Sequence, residues 1–509
     1  MHSDNQRIAK NTIYLYGRMI VTMLIGMWTS RLVLNALGFT DQGLYNVVGG
    51  FVGFLSILTG SISVSISRFI TFEIGRKNTK GVIDAFRNAL AVQLFLALIV
   101  LVVAETLGIW YINNKLILPE NRLFAVHIVY QFSVLSFIIN LFSVAPNALI
   151  ISYERMGLFA IVAILSAISR LLIGFIISYT TLDRLILYSI LQFVVFLGIR
   201  IFYQVYCKRN FKFLIYRPAI SKDTFKPMFS FAGWNMIGSS AGILRSSGTS
   251  VLLNYFGGPI ANTINGIANQ VNSLATMFVN DFTTAFNPQI TKKFASQEYK
   301  SLIIFLHRTS KYSYCLLLIM AIPVFLNIQE LLTLWLKRIP DGTSIFAKLI
   351  IIFTAIECIS RPLITAKNAT GKIKNYQIVI GGILLLTIPL AYLFLKIGLP
   401  IWYTYLAMLL TSFGAFVARM MMLKGSIPGW SSYSFIMETG VKCLLVTLTG
   451  LIVPLLVHYA FPSQGWWCIL QCIIGFLWCS CCVYFVACNS NERSKINKQL
   501  VKIKSKFIS

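Results

Sequence analysis

Residues 88–112 read Asn-Ala-Leu-Ala-Val-Gln-Leu-Phe-Leu-Ala-Leu-Ile-Val-Leu-Val-Val-Ala-Glu-Thr-Leu-Gly-Ile-Trp-Tyr-Ile, a stretch with one charged side chain, Glu105. A helix needs about 20 mostly apolar residues to cross a bilayer, and this run exceeds that. It does not alternate apolar with polar, as a strand of a membrane barrel would. Working outward, similar runs recur at 13–37, 43–67, 123–147, 157–180, 184–206, 227–255, 259–286, 312–336, 345–369, 375–397, 400–423, 433–460 and 465–488. The pattern predicts an all-α polytopic membrane protein of about fourteen transmembrane helices. Composition agrees: of 509 residues, 57% are hydrophobic and only 12% charged. That excludes an ordinary soluble enzyme, a disordered chain and a disulfide scaffold.

The net charge of +28 is explained by position. With the N-terminus in the cytoplasm, about three quarters of the 44 Lys and Arg fall in cytoplasmic segments, and only Lys115, Arg122, Arg184, Lys337, Arg338, Lys348 and Lys396 fall in outer ones. Basic residues concentrate in cytoplasmic loops, so both termini are expected there, and nucleic acid is not needed as a partner. The polar segment Met1 to Thr12 ahead of the first apolar run reads as the start of an uncleaved insertion signal.

An internal repeat is visible. Asn35-Ala-Leu-Gly38 and Asn46 recur in the second half of the chain as Asn254-Tyr-Phe-Gly257 and Asn265, and Ile70-Thr71 with Lys80 recur as Ile290-Thr291 with Lys300. The expected organisation is two pseudo-symmetric six-helix lobes, 1–206 and 227–423, joined by a basic linker at 207–226. A helix pair at 424–488 and a basic tail at 489–509 follow. Parallel repeats of this kind surround a central path in transporters.

Three runs are unusually polar. In the second, Asn46, Gly49, Gly53, Ser56, Gly60, Ser63 and Ser67 share one helical face. The seventh carries Asn235, Ser239, Gly242, Ser246 and Ser250. The eighth carries Asn262, Asn265, Asn269, Asn272, Thr276, Asn280, Thr283 and Asn287, again spaced by three and four. Close helix packing would account for the glycines. It accounts less well for a stripe of asparagines, whose amides are costly against lipid, so a water-filled, cargo-lining face is expected for the eighth run.

Ionisable groups inside the runs are costly in lipid and mark functional candidates. Arg18 and Arg200 lie within reach of an interface and are expected to snorkel. Arg31 could snorkel or face a cavity. Arg170 and Arg245 sit deeper and are read as cavity cations. Glu357 and Arg361, four apart, are expected to pair along one helix. Asp281 could serve Arg245 as counter-ion or bind a coupling ion, and Glu357 is a second candidate for the latter. Guanidinium forks suit phosphate, while Asn and Ser suit hydroxyl-rich sugars. Together they point to an anionic amphiphile such as a lipid-linked sugar phosphate. Cys479, Cys481 and Cys482 have no His or carboxylate nearby, so no metal site is expected, and the chain carries no P-loop and no cofactor motif.

Asn11-Thr-Ile-Tyr-Leu-Tyr-Gly-Arg18, Asn35-Ala-Leu-Gly38, Gly43-Leu-Tyr-Asn46 and Asn287-Pro-Gln289 resemble motifs of the Wzx-like O-antigen and polysaccharide repeat-unit flippases of the multidrug/oligosaccharidyl-lipid/polysaccharide (MOP) exporter superfamily. The resemblance spans essentially the whole chain. It implies two lobes around a V-shaped cavity, alternating access, and movement of undecaprenyl-pyrophosphate-linked oligosaccharide (O-antigen, capsule or exopolysaccharide) across the bacterial inner membrane. Implied partners are the bilayer, the lipid-linked oligosaccharide, and the polymerase and chain-length proteins of the same pathway. Arg31 and Arg245 best match the family's cavity cations. The alternatives are a cation-coupled multidrug exporter and, from another class, a polysaccharide polymerase. Drug exporters often carry an acid in the first helix, and none lies between Asp4 and Asp41.

Overall fold

The computed structural model describes residues 2–54, 56–115, 119–461, 465–490, 492–494 and 497. The tail's Lys495, Lys498, Lys502, Lys504 and Lys506 lie outside them, as do the side chains of Gly49, Gly53 and Ser56. Among the described residues there are no strands, and long helices follow one another along the chain. Eleven of them are long and apolar enough to cross a membrane.

The first helix, His2–Phe54, is interrupted at Gly38, whose backbone (φ 74, ψ 175) is non-helical. This break separates α1 (2–38) from α2 (39–75, with Leu55 outside the described residues). Next come α3 (Thr79–Asn114), α4 (Leu123–Ser152), α5 (Met156–Tyr179) and α6 (Arg184–Asn210). The 74-residue helix Lys222–Ala295 breaks in the same way at Gly258 (φ 65, ψ −165), dividing α7 (222–257) from α8 (259–295). Then follow α9 (Tyr299–Leu326), α10 (Thr343–Ala369), α11 (Lys374–Lys396), α12 (Tyr403–Lys424), α13 (Ser432–Ala460) and α14 (Trp467–Ala487). The expected run 312–336 is divided between α9 and a short helix, Ile328–Leu336, which begins directly after Asn327.

Both breaks fall on glycine because a positive φ combined with an extended ψ is open only to a residue without Cβ. The interval from Gly38 to Gly258 is also the interval from Lys77 (φ 57) to Gln297 (φ 60), the left-handed residues that follow α2 and α8. The repeat read from sequence thus recurs in backbone geometry. It is shifted by one position at the first break, where the motif pairs Gly38 with Gly257 and the backbone pairs it with Gly258.

The three helices outside the eleven apolar spans are α2, α7 and α8. They are the ones rich in Gly, Ser and Asn. Composition alone would not hold them in lipid, so neighbouring helices or water must cover their polar faces.

The chain divides into two compact units, residues 1–240 with 284–297, and 241–283 with 298–509. The first unit includes the segment 207–226 and the far ends of α7 and α8. Ser65 Oγ donates to the Met228 carbonyl at 2.8 Å, and Ala285 sits in a small apolar cluster with Leu15 and Met156. The expected linker is itself docked on α3. The Ser221 amide donates to Asn88 Oδ1 at 2.9 Å, Arg87 Nε donates to the Arg217 carbonyl at 3.2 Å, and the rings of Phe86 and Tyr216 stand 5.1 Å apart.

In the first unit one cation ties three helix starts. Arg122, just before α4, donates to both Asp41, in the first turn of α2, and Asp183, just before α6. Partial burial alone would lower the pKa of Arg122, but its bonds to Asp41 and Asp183 raise it above the ordinary arginine value. Arg122→Ala leaves two carboxylates side by side, and should lower the midpoint of thermal unfolding in detergent by an amount equivalent to about 1–2 kcal/mol, discounted for partial exposure. An unchanged midpoint would show that the clasp contributes nothing.

Candidate functional site

In the second unit, the two sides of α8 have different surroundings. Asn265 is buried: its Nδ2 donates to Ser250 Oγ at 2.8 Å, while its Oδ1 accepts from the Tyr405 hydroxyl at 2.7 Å and from Asn269 Nδ2 at 3.3 Å. Asn272 Oδ1 accepts from Thr354 Oγ1 at 2.7 Å. Asn280 is exposed, and its Oδ1 accepts from Arg361. Asn265 is thus bonded to α7 and α12, whereas Asn280 of the same stripe is exposed. Amides that reach α7, α10 and α12 satisfy one another there. Asn235, in the first unit, is likewise buried and turns its Nδ2 to the Phe231 carbonyl at 3.2 Å.

The exposed face of α8 lies beside that stripe. Thr263, Gly266, Gln270, Ser273, Met277 and Asn280, spaced by three and four, are all exposed. Four of these six are hydrogen-bonding side chains, which hydrocarbon cannot satisfy, so this face requires water or a polar ligand. This exposed stripe adjoins the asparagine stripe read from sequence and shares Asn280 with it.

The same unit holds a charged cluster between α7, α10 and α12. Arg245 on α7 donates from Nη1 to Ser412 Oγ at 3.0 Å and stacks over Phe353, with its Cζ 5.1 Å from the ring centre. Glu357 of α10 acts electrostatically on Arg245. Asp281 is buried on α8. Glu357 pairs across helices with Arg419 of α12 at 3.6 Å, and not along its own helix with Arg361, which reaches Asn280 instead. Arg419 is 5% exposed and interacts electrostatically with the buried Tyr376. Its place inside the apolar run 400–423, near the end, is the sequence signal for this role. The cluster holds two guanidiniums against one carboxylate.

In the first unit, Arg31 is exposed on a face of α1 shared with Trp28 (70% exposed) and Asn35. Arg170 of α5 is exposed, lies over the Phe196 ring at 5.7 Å, and interacts electrostatically with Tyr45 and Tyr188, whose rings meet edge to face at 4.8 Å. Asn46, also exposed, accepts from Gln42 Nε2 at 3.2 Å. Arg18 packs over Phe159 at 4.8 Å. Among the described residues no group of His, Cys, Asp or Glu is arranged to hold a metal ion; Cys479 and Cys482 are buried and Cys481 is exposed.

The fold is shared with solved transporters. A proline-to-alanine mutant of a MATE transporter superposes with a TM-score of 0.72 at 12% identity, covering 83% of this chain and 96% of that one. A MOP superfamily transporter from Pyrococcus furiosus, described as having a binding pocket of reversed polarity, gives 0.70 at 11% identity, with 85% and 96% covered. A multidrug resistance MATE family transporter in an outward-facing conformation gives 0.69 at 13%, with 82% and 95% covered. A comparison with curated proteins finds no match. By fold the chain is a multi-pass membrane protein similar to transporters of the MATE and MOP type. Residues 8–294 match the family described as "Polysaccharide biosynthesis protein", and the chain belongs to that family.

Proposed function

We propose that the protein is a flippase that moves undecaprenyl-pyrophosphate-linked oligosaccharide repeat units from the cytoplasmic to the outer leaflet of a bacterial inner membrane. The carrying observation is the cluster of Arg245, Arg419 and Glu357, which has one more guanidinium than carboxylate and lies in the unit that presents the polar face of α8. An excess cation at bilayer depth is tolerated when an anionic ligand completes it, and a pyrophosphate offers the bidentate oxygens that guanidinium prefers. Thr263, Gln270, Ser273 and Asn280 supply donors and acceptors suited to sugar hydroxyls. Arg31, with Trp28 beside it, and Arg170 are the corresponding candidates in the first unit. Membership of the polysaccharide biosynthesis family supports this class of cargo. In this reading 1–206 and 227–423 act as two lobes, 424–488 is an appended helix pair, and both termini are cytoplasmic.

A cation-coupled drug exporter would use Asp281 and Glu357 as ion sites. Glu357 is already engaged by Arg419, which disfavours that use. The test is reconstitution of the full chain in vesicles with a lipid-linked oligosaccharide as probe, following its accessibility to an impermeant lectin. Protein-dependent loss of protection supports the proposal; protection unchanged at all protein levels, with export of cationic drugs instead, overturns it.

A further inference from the structure

We infer that the segment between α6 and α7, residues 207–226, is a docking surface for the headgroups of anionic phospholipids. The inference needs only that the chain spans a membrane, and is independent of the cargo.

One side of the segment is fixed to the first unit. Residues 211–221 form neither helix nor strand, so bonds and packing against the neighbouring helices hold them. Phe211 is 3% exposed; its ring stands 4.9 Å from that of Tyr153, and the Arg155 guanidinium lies over it at 4.9 Å. Leu214 is buried in the same apolar cluster as Phe86 and Ala89 of α3. The Ala219 amide donates to the Arg87 carbonyl at 3.3 Å, next to the bonds that Ser221 and Arg217 make with the same turn of α3. Asn88, which receives the Ser221 amide, is itself buried and turns its own Nδ2 to the Asp84 carbonyl at 2.7 Å.

The side left over mixes two kinds of group. Lys208, Arg209, Lys212, Arg217, Lys222 and Lys226 are all exposed, against a single acid, Asp223. Among them stand Phe213, Ile215 and Ile220, which are 37%, 45% and 72% exposed. Neither bulk phase suits such a face. Water gives the apolar side chains nothing, and hydrocarbon leaves the cations unsolvated. The boundary between the two serves both: long basic side chains set their charges at the level of the lipid phosphates, while Phe and Ile reach the start of the acyl chains.

The location agrees. The membrane-spanning helix α6 ends at Asn210, so the segment begins where that span stops. Arg87 and Asn88, which hold the segment, lie within the first three turns of α3, so it sits at the end of the unit from which α3 starts. Arg76, Lys77 and Lys80 are exposed at that same end and add to the positive field. An acidic protein would match the charge, but protein interfaces close around a contiguous apolar centre. Here Phe213, Ile215 and Ile220 are nowhere adjacent in sequence and are interleaved with Lys212, Arg217 and Lys222. A preference for basic loops on one side of the membrane explains the cations alone, not the apolar residues set between them.

The test titrates the full chain, purified in detergent, with phosphatidylglycerol or phosphatidylcholine, and reads bound lipid by native mass spectrometry. The parent should bind phosphatidylglycerol on the order of tenfold more tightly than phosphatidylcholine. Lys212→Gln, Arg217→Gln and Lys222→Gln together should bring the two lipids to within about twofold of each other. Lys212→Arg with Lys222→Arg should keep the preference. Phe213→Ser with Ile220→Ser should weaken both lipids alike, because it removes the acyl contact and leaves the charge. All these side chains are exposed, so the variants should unfold at the parent's midpoint without added lipid, which thermal unfolding checks. Equal binding of the two lipids by the parent overturns the inference. So does a preference that survives in the triple glutamine variant, which would place the anionic lipid elsewhere on the chain and leave the segment to an acidic protein.

Discussion

Arg245→Ala is expected to reduce transport of lipid-linked oligosaccharide at least about 100-fold, with Arg245→Lys retaining an intermediate rate. The size follows from the environment. Arg245 is held by one hydroxyl, Ser412, and one ring, Phe353, and shares Glu357 with Arg419, so it keeps donors unspent for a ligand. A charge-assisted bidentate contact formed away from bulk water contributes a few kcal/mol, and each 1.4 kcal/mol is a factor of ten. Lysine keeps the charge but loses the planar fork and the stacking on Phe353. The measurement is surface polysaccharide in cells carrying each variant, together with the leaflet in which lipid-linked repeat units accumulate. Alanine should leave them on the cytoplasmic leaflet. Normal surface polysaccharide in the alanine variant would remove Arg245 from the path. Arg31→Ala reports separately on the first unit, where the exposed guanidinium beside Trp28 has a less confined setting, so its loss should be the milder of the two.

Much of the fold could be read from hydropathy, because a membrane helix must satisfy its own backbone and bury apolar length. The break between α7 and α8 could be read as well, since Gly257-Gly258 interrupts an otherwise continuous pattern. The site was less legible, for a definite reason. Periodicity shows which residues share a helical face, but not which face meets protein. On α8 both the asparagine stripe and the Thr263–Asn280 stripe are polar and evenly spaced. Only the positions of Tyr405, Ser250 and Thr354 show that Asn265 and Asn272 of the first are bonded to neighbouring helices. The partner of Glu357 was hidden in the same way. Arg361 is four residues away in sequence, but Arg419 is the cation that reaches the carboxylate, because α12 packs against α10 at that level. The close approach at Gly75 was not legible at all, because no property of Gly75 in isolation announces that Lys292 and Ala295 lie against it.

Glu357→Gln should be the most destabilising single change in the second unit, and it should convert the cluster into a stronger anion site. Removing the carboxylate leaves Arg419, 5% exposed, and Arg245 facing each other without an intervening negative charge. Stranding one partner of a buried pair costs about 3–5 kcal/mol, whereas removing both partners together costs far less. Glu357→Gln combined with Arg419→Gln should therefore be more stable than Glu357→Gln alone, a reversal of additivity that only direct coupling produces. Pyrophosphate supplies the missing charge, so it should raise the unfolding midpoint of Glu357→Gln more than that of the parent, and should do little for the double variant. Thermal unfolding of detergent-solubilised protein, with and without pyrophosphate, measures all three. If Glu357→Gln unfolds at the parent's temperature and ignores pyrophosphate, the two guanidiniums are not competing for one anion. The cluster would then be a fixed structural pair with Arg245 as a bystander, and the argument for a phosphate-bearing cargo would have to stand on the first unit alone.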